Sequence, residues 1–176
     1  PAVAIAEPRA AWRTFAAHYP LFRGTPSSLW LDHVFAVVFG LTERLDATTA
    51  DAYFDHIGAC LGEPEFRPRA LFERFNIEVL TTTESPLDPL SSHEAIRRSG
   101  WQGRVLTAYR PDPVVDPEFD GFRDNVQALA SLTGEDTESW SGYLAAHRRR
   151  RDYFRRMGAT STDHGHPTAR TADLPP

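Results

Sequence analysis

Near its C-terminal end the chain carries Asp163-His164-Gly165-His166. In extended backbone, residues i and i+2 face the same side, so the rings of His164 and His166 could both reach one zinc ion. Zinc takes three or four ligands, so the pair alone does not make a site. Asp163 could accept a proton, orient a neighbouring histidine or cap the turn that follows. A second string, Tyr109-Arg110-Pro111-Asp112, places a guanidinium whose planar fork matches a carboxylate or phosphate, with a proline to stiffen the backbone after it. Arg110 could equally form an ion pair with Asp112 or Asp116. The remaining histidines, His18, His33, His56, His93 and His147, fall mostly on helical faces. No G-x-G-x-x-G, P-loop, G-x-S-x-G or Cys-His dyad spacing occurs, so nucleotide binding and serine or cysteine nucleophiles have no positive signal.

Both strings fall where the local pattern predicts the C-terminal end of a strand. Residues 76–83 (NIEVLTTT) and 103–110 (GRVLTAYR) are rich in β-branched residues and bounded by turn formers, and 159–165 (ATSTDHG) reads as a third short strand. Helical stretches separate them: SSHEAIRRSG, then EFDGFRDNVQALASLTG and DTESWSGYLAAHRRRRDYFRRMG, each closing on glycine. Such alternation predicts parallel strands with crossovers covering the sheet. In that architecture the loops after the strands line a shared crevice, and the three predicted strand ends are Thr82-Thr83-Glu84, Arg110-Pro111-Asp112 and Asp163-His164-Gly165-His166.

The first 75 residues read as helices. Trp12, Phe15, Ala16 and Tyr19 recur at helical spacing. Thr25-Pro26 suits the start of a second helix that runs to Gly40 and, being apolar over most of its circumference, should be buried on several sides. Thr48-x-x-Asp51 resembles a capping box for a third helix ending at Gly62, and a short fourth helix follows Pro68. The expected organisation is a helical region over 1–75, a β/α segment over 76–165 and a disordered tail over 166–176. Three parallel strands make a small sheet, and the chain has no initiating methionine, so it reads as an internal piece of a larger α/β protein.

Composition sets outer bounds. With 41% hydrophobic and 24% charged residues, the chain falls in the globular class rather than the disordered or membrane classes. No apolar run approaches the roughly 18 residues of a membrane helix. The opening PAVAIAEP lacks the basic leading segment of a signal peptide. One cysteine, Cys60, rules out an internal disulfide, and the cytoplasm is the default compartment. A net charge of −5 argues against a dedicated nucleic-acid binder. The local exception is HRRRRDYFRR; four consecutive arginines point all round a helix, which reads as a solvated surface suited to the helix C-terminus and less well as a phosphate-binding patch.

The strings FRPRALFERFNIEVLTTTESPLDPL, AYRPDPVVDPEF and MGATSTDHG, in that order, together with the upstream RGTPSSLWLDHVFAVVFGL, resemble the uronate isomerases of the amidohydrolase superfamily. The resemblance runs from about Trp12 to Asp163. It implies a helical region followed by about three β/α units of a (β/α)8 TIM barrel. The implied activity is aldose–ketose isomerisation of hexuronates (D-glucuronate to D-fructuronate, D-galacturonate to D-tagaturonate) by proton transfer between C1 and C2. It implies Arg110 as a substrate-binding residue and Asp163 as an acidic catalytic residue that moves a proton or orients a water. It also implies a divalent metal, commonly zinc, whose His-x-His and later ligands match nothing in this chain, so no residue here is assigned to metal. Glu84 stands where the family usually has Asp, and Tyr109 where Trp is common. The expected partner is a hexuronate, with self-association as a homo-oligomer, and neither nucleic acid nor membrane. The competing reading is a non-catalytic remnant whose open sheet edge serves association.

Overall fold

The Trp12–Tyr19 stripe forms as its spacing requires. The computed structural model describes residues 7–165, and the chain folds as two units, divided in sequence between Phe75 and Asn76. In the first, α1 (Pro8–His18) runs into a 3-10 turn (Tyr19–Phe22), and α2 (Pro26–His33) continues as a π-helical turn (Val34–Val38). Two more helices, α3 (Ala50–Gly62) and α4 (Pro68–Arg74), complete the unit. Ala16, Tyr19, Phe35, Leu45, Ala50 and Tyr53 form its buried core, with Trp12, Phe15 and Ile57 packed against it. Phe35 and Tyr53 meet edge to face at 5.3 Å, and the Trp12 indole N–H donates to the Ala50 carbonyl at 2.7 Å.

Three local expectations hold or fail for visible reasons. Thr25 caps α2 by accepting from the Ser28 N–H, as its type and place predict. The helix is not covered on several sides, however: Leu29 and Trp30 are each 69% exposed, and of the residues from Pro26 to Val38 only Phe35 is buried. Nor is Thr48-x-x-Asp51 a capping box. Asp46 Oδ1 accepts from the Thr48 and Thr49 N–H groups ahead of α3, while Asp51 pairs with Arg9 and Arg13. A carboxylate in the first turn of the helix is drawn to two arginines on α1 more strongly than to its own N-terminus.

The second unit contains β1 (Leu80–Glu84), α5 (Ser91–Arg98), β2 (Val105–Tyr109), α6 (Asp112–Val115), α7 (Phe122–Thr133) and α8 (Trp140–Arg156). The strands are parallel, in register from Leu80 opposite Val105 to Glu84 opposite Tyr109. The expected third strand over 159–165 is reduced to one parallel bridge, Thr162 beside Tyr109. Tyr109 N–H donates to Ser161 O, and Asp163 N–H donates to Tyr109 O. The segment between Gly158 and Gly165 carries one apolar side chain, Ala159, which packs against the Leu90–Tyr109–Phe154 core; the rest of it is polar. Among the described residues the fold is therefore α/β with a two-stranded parallel sheet. No described helix is long and apolar enough to cross a membrane. The segment 166–176, expected as a tail, lies outside the described residues, as does His166.

Tyr109 and Phe154 pack edge to face at 5.1 Å within a core that includes Leu90; Val114, Leu129 and Ala146 join α6, α7 and α8 in another. The arginine run on α8 is not uniformly solvated. Arg150 is buried; its Nε donates to Pro86 O at 2.6 Å and its Nη2 to Asp88 O at 2.8 Å. Its guanidinium carbon lies 4.5 Å from the centre of the Tyr153 ring. The loop it holds contains Leu90, a fully buried residue at φ 56°, a backbone region that β-carbon sterics disfavour. Arg150 thus fastens a strained turn between β1 and α5 to α8. Arg150→Met keeps the aliphatic stem but strands two carbonyls, and should lower stability in urea unfolding by about 2–3 kcal/mol. Arg149→Met, on a side chain 64% exposed and paired with Glu135, should cost at most about 1 kcal/mol.

Candidate active site

Because β1 and β2 are parallel, both deliver their last residues to the same edge of the sheet, and the Thr162 bridge adds a third chain beside them. Arg110 follows β2 directly, and its main-chain N–H donates to Glu84 O at 2.9 Å, continuing the ladder one residue past the strand. Its Nε donates to Asp112 Oδ2 at 2.7 Å, so the ion pair foreseen as one alternative does form. Its Nη1 lies 3.6 Å from Asp163 Oδ2, and Thr83 Oγ1 donates to that same oxygen at 3.1 Å. The structure therefore brings Arg110 and Asp163 together from separate strand ends, with Thr83 of β1 as a third member.

Asp112 organises the cluster. Its carboxylate takes Arg110 on one side and the Gly165 N–H on the other, at 3.1 Å to Oδ1 and 2.9 Å to Oδ2. A β-carbon on Gly165 would sit 2.8 Å from Asp112 Oδ2 and 2.9 Å from Arg110 Nη2, so a side chain there would displace the ends of this bonded pair. The Asp112 side chain is 15% exposed, against 44% for Arg110 and 46% for Asp163. The brace is thus covered while the groups suited to chemistry face outward. Burial pushes the Asp112 carboxyl up, but the Arg110 and Gly165 hydrogen bonds and the Arg110 charge outweigh it and hold it below the usual carboxylate value.

Glu84 belongs to a different place. Successive strand residues face opposite sides, so Thr83 points one way and Thr82 and Glu84 the other. Glu84 Oε1 accepts from Thr82 Oγ1 at 2.6 Å, Oε2 accepts from Thr107 Oγ1, and the buried His93 of α5 lies 3.7 Å away. The carboxylate braces the sheet against α5 and takes no part in the Arg110–Asp163 cluster. On that same face, burial pushes the Tyr109 phenol up to about 12, with Arg151 and Arg150 acting against it. The hydroxyl therefore stays protonated, and it shares a hydrogen bond of 2.9 Å with His147 Nδ1. His147 Nε2 is buried and has no hydrogen-bond partner among the described residues.

His164 Nε2 lies 3.2 Å from Thr162 Oγ1. Among the described residues no three His, Cys, Asp or Glu side chains come together as a metal site. Two clefts of about 660 Å³ in this unit, one beside Tyr109, Arg151 and Phe154 and one beside Arg123, Gln127 and Glu138, include neither Arg110 nor Asp163.

Sequence reasoning named Arg110 and Asp163 and gave Asp112 only as a candidate ion-pair partner. It assigned nothing to Thr83 or to the Gly165 amide. Alternation along β1 could have separated Thr83 from Glu84, but which face carries the site depends on the sheet's packing. A carboxyl held below its unfolded value contributes stability above the carboxylate range and loses it as pH falls through the folded value. The stability difference between wild type and Asp112→Asn should therefore be largest near pH 7 and shrink below about pH 4. Urea midpoints across that range measure it; a difference independent of pH would show that the Asp112 charge contributes nothing.

The comparisons with known proteins agree with one another. The model of the glucuronate isomerase family matches residues 3–174. The uronate isomerase of Xanthomonas oryzae pv. oryzae is 68% identical over 173 residues, covering 98% of this chain and 37% of its own length. That of Phenylobacterium zucineum is 66% identical over 169 residues, 96% of this chain and 35% of its own. The crystal structure of glucuronate isomerase from Caulobacter crescentus superposes with a TM-score of 0.88 at 58% identity, covering 96% of this chain and 35% of that one. The uronate isomerase from Thermotoga maritima gives 0.81 at 25% identity, covering 94% of this chain and 37% of that one. The chain thus spans a little over a third of the length of these relatives. The strand-end motifs, the fold and a match over nearly every residue lead to one conclusion: this chain belongs to the glucuronate isomerase family.

Proposed function

We propose that the chain is a segment of a uronate isomerase, contributing part of the site that interconverts aldose and ketose hexuronates. D-glucuronate with D-fructuronate and D-galacturonate with D-tagaturonate are the proposed substrate pairs. The observation that carries this reading is the meeting of Arg110 and Asp163 at 3.6 Å on one edge of a parallel sheet, inside a match to the family that spans residues 3–174. The helices up to Phe75 are read as the region preceding three β/α units of a (β/α)8 barrel, with the Thr162 bridge as the start of the third strand. The cytoplasm and a homo-oligomeric enzyme complete the proposal.

Each residue has a task that its geometry supports. Arg110, held at Nε by Asp112 and partly exposed elsewhere, offers the rest of its fork to the substrate's anionic or polar end. Asp163, with a half-exposed carboxylate, accepts a proton from the substrate carbon or hydroxyl and returns it at the neighbouring position. The family's divalent metal, zinc in this reading, would supply Lewis-acid polarisation of the substrate oxygens. The described residues do not assemble three ligands for it, so no step is assigned to a metal held by this chain.

In the full-length enzyme, Arg110→Ala should lower kcat/KM on D-glucuronate by about 10²–10³-fold, the scale of losing a charge-assisted contact to the reacting substrate. Steady-state assay at saturating and limiting substrate measures it. Retention of wild-type kcat/KM would remove Arg110 from substrate binding.

A further inference from the structure

Among the described residues, the hydroxyl of Thr83 is the one neutral donor that reaches the carboxylate given the proton-transfer role. It approaches Asp163 Oδ2 at 3.1 Å, and Arg110 Nη1 stands 3.6 Å from that same oxygen. Among the described residues no donor hydrogen-bonds to Asp163 Oδ1. The reach is long in chain terms: Asp163 follows the bridge on one side of β2, and Thr83 lies in β1 on the other. Between them in strand order is Ala108, the cross-strand partner of Thr83, whose side chain is a single methyl. A β-branched residue in a paired strand has few χ1 states, so its hydroxyl is held by the sheet rather than by a mobile loop. The carboxylate follows a one-residue bridge and is itself half-exposed, so it needs an external hold that its own segment does not provide.

Resting on the isomerase reading above, we infer that Thr83 is a positioning residue: it ties down Oδ2 of Asp163 so that Oδ1 is the oxygen that takes and returns the proton. The charged Arg110 and Asp112 and the imidazole of His164 share this edge, while Glu84 and His93 lie on the other face of the strands. Thr83 has no ionisable group and touches no reacting atom in this scheme. Its effect should therefore fall on the chemical step and leave substrate affinity alone.

The test uses the full-length enzyme and four variants. Thr83→Val, equal in shape but without the hydroxyl, should lower kcat about 10–30-fold with KM within about twofold, and Thr83→Ala, which cannot clash, should do the same. Thr83→Ser should restore kcat to within about threefold of wild type, because the donor returns. Wild-type kcat in both Thr83→Val and Thr83→Ala, a change confined to KM, or a serine variant as impaired as the valine one would each overturn the inference. Asp163→Asn, assayed beside them, separates the two levels. If it keeps its kcat, the role given to Asp163 is itself wrong. If it is inactive while Thr83→Val and Thr83→Ala are fully active, only the positioning role fails.

Discussion

The end of β2 is the point on which the second unit depends. Tyr109 uses its main chain to bind Ser161 and Asp163, and the next residue binds Glu84 through its own N–H. The Tyr109 ring packs edge to face on Phe154, and its hydroxyl reaches His147. Strand order, the attachment of α8 and the position of the third chain all pass through this residue, which is fully buried. The central position of β2 makes that concentration necessary, because only a central strand can offer ladder groups to neighbours on both sides. With Tyr109 fixed, Arg110 and Asp163 have little choice but to emerge on the same edge.

The two faces of the strands then divide the polar residues between structure and chemistry. Thr82, Glu84 and Thr107 face α5 and satisfy one another together with His93. Buried polar groups of this kind are tolerable only when each finds a partner, and here the hydroxyls and the carboxylate do. Thr83, Arg110 and Asp163 turn to the other side, where their exposure leaves them able to meet a ligand. Asp112 joins the loops after β2 and after the bridge by binding Arg110 and Gly165 at once. A charge pair reinforced by a backbone donor fixes the direction of the Arg110 guanidinium as well as its distance.

The arginine-rich helix illustrates how position overrides composition. Arg149 and Arg155 lie in water with Glu135 and Asp152, as a run of like charge suggests. Arg150, beside Arg149 in sequence, is buried and satisfies two loop carbonyls. A helix turns about 100° per residue, so adjacent members of one charge run can face solvent and core.

Much of this protein was legible from residue order alone. Local rules located α1, the Thr25 cap of α2, both paired strands to within a few residues and the motif Arg110-Pro111-Asp112 at a strand end, because periodicity and turn chemistry act over short spans. The same strings carried the family resemblance that the wider comparisons bear out. Tertiary structure alone decided that Arg110 and Asp163 meet, that Thr83 joins them while Glu84 turns away, that the third segment forms one bridge rather than a strand, and that Arg150 is an anchor rather than a surface charge. Each of those outcomes depends on which face of an element meets a neighbour, a choice fixed by packing between segments distant in sequence and absent from the local pattern of either.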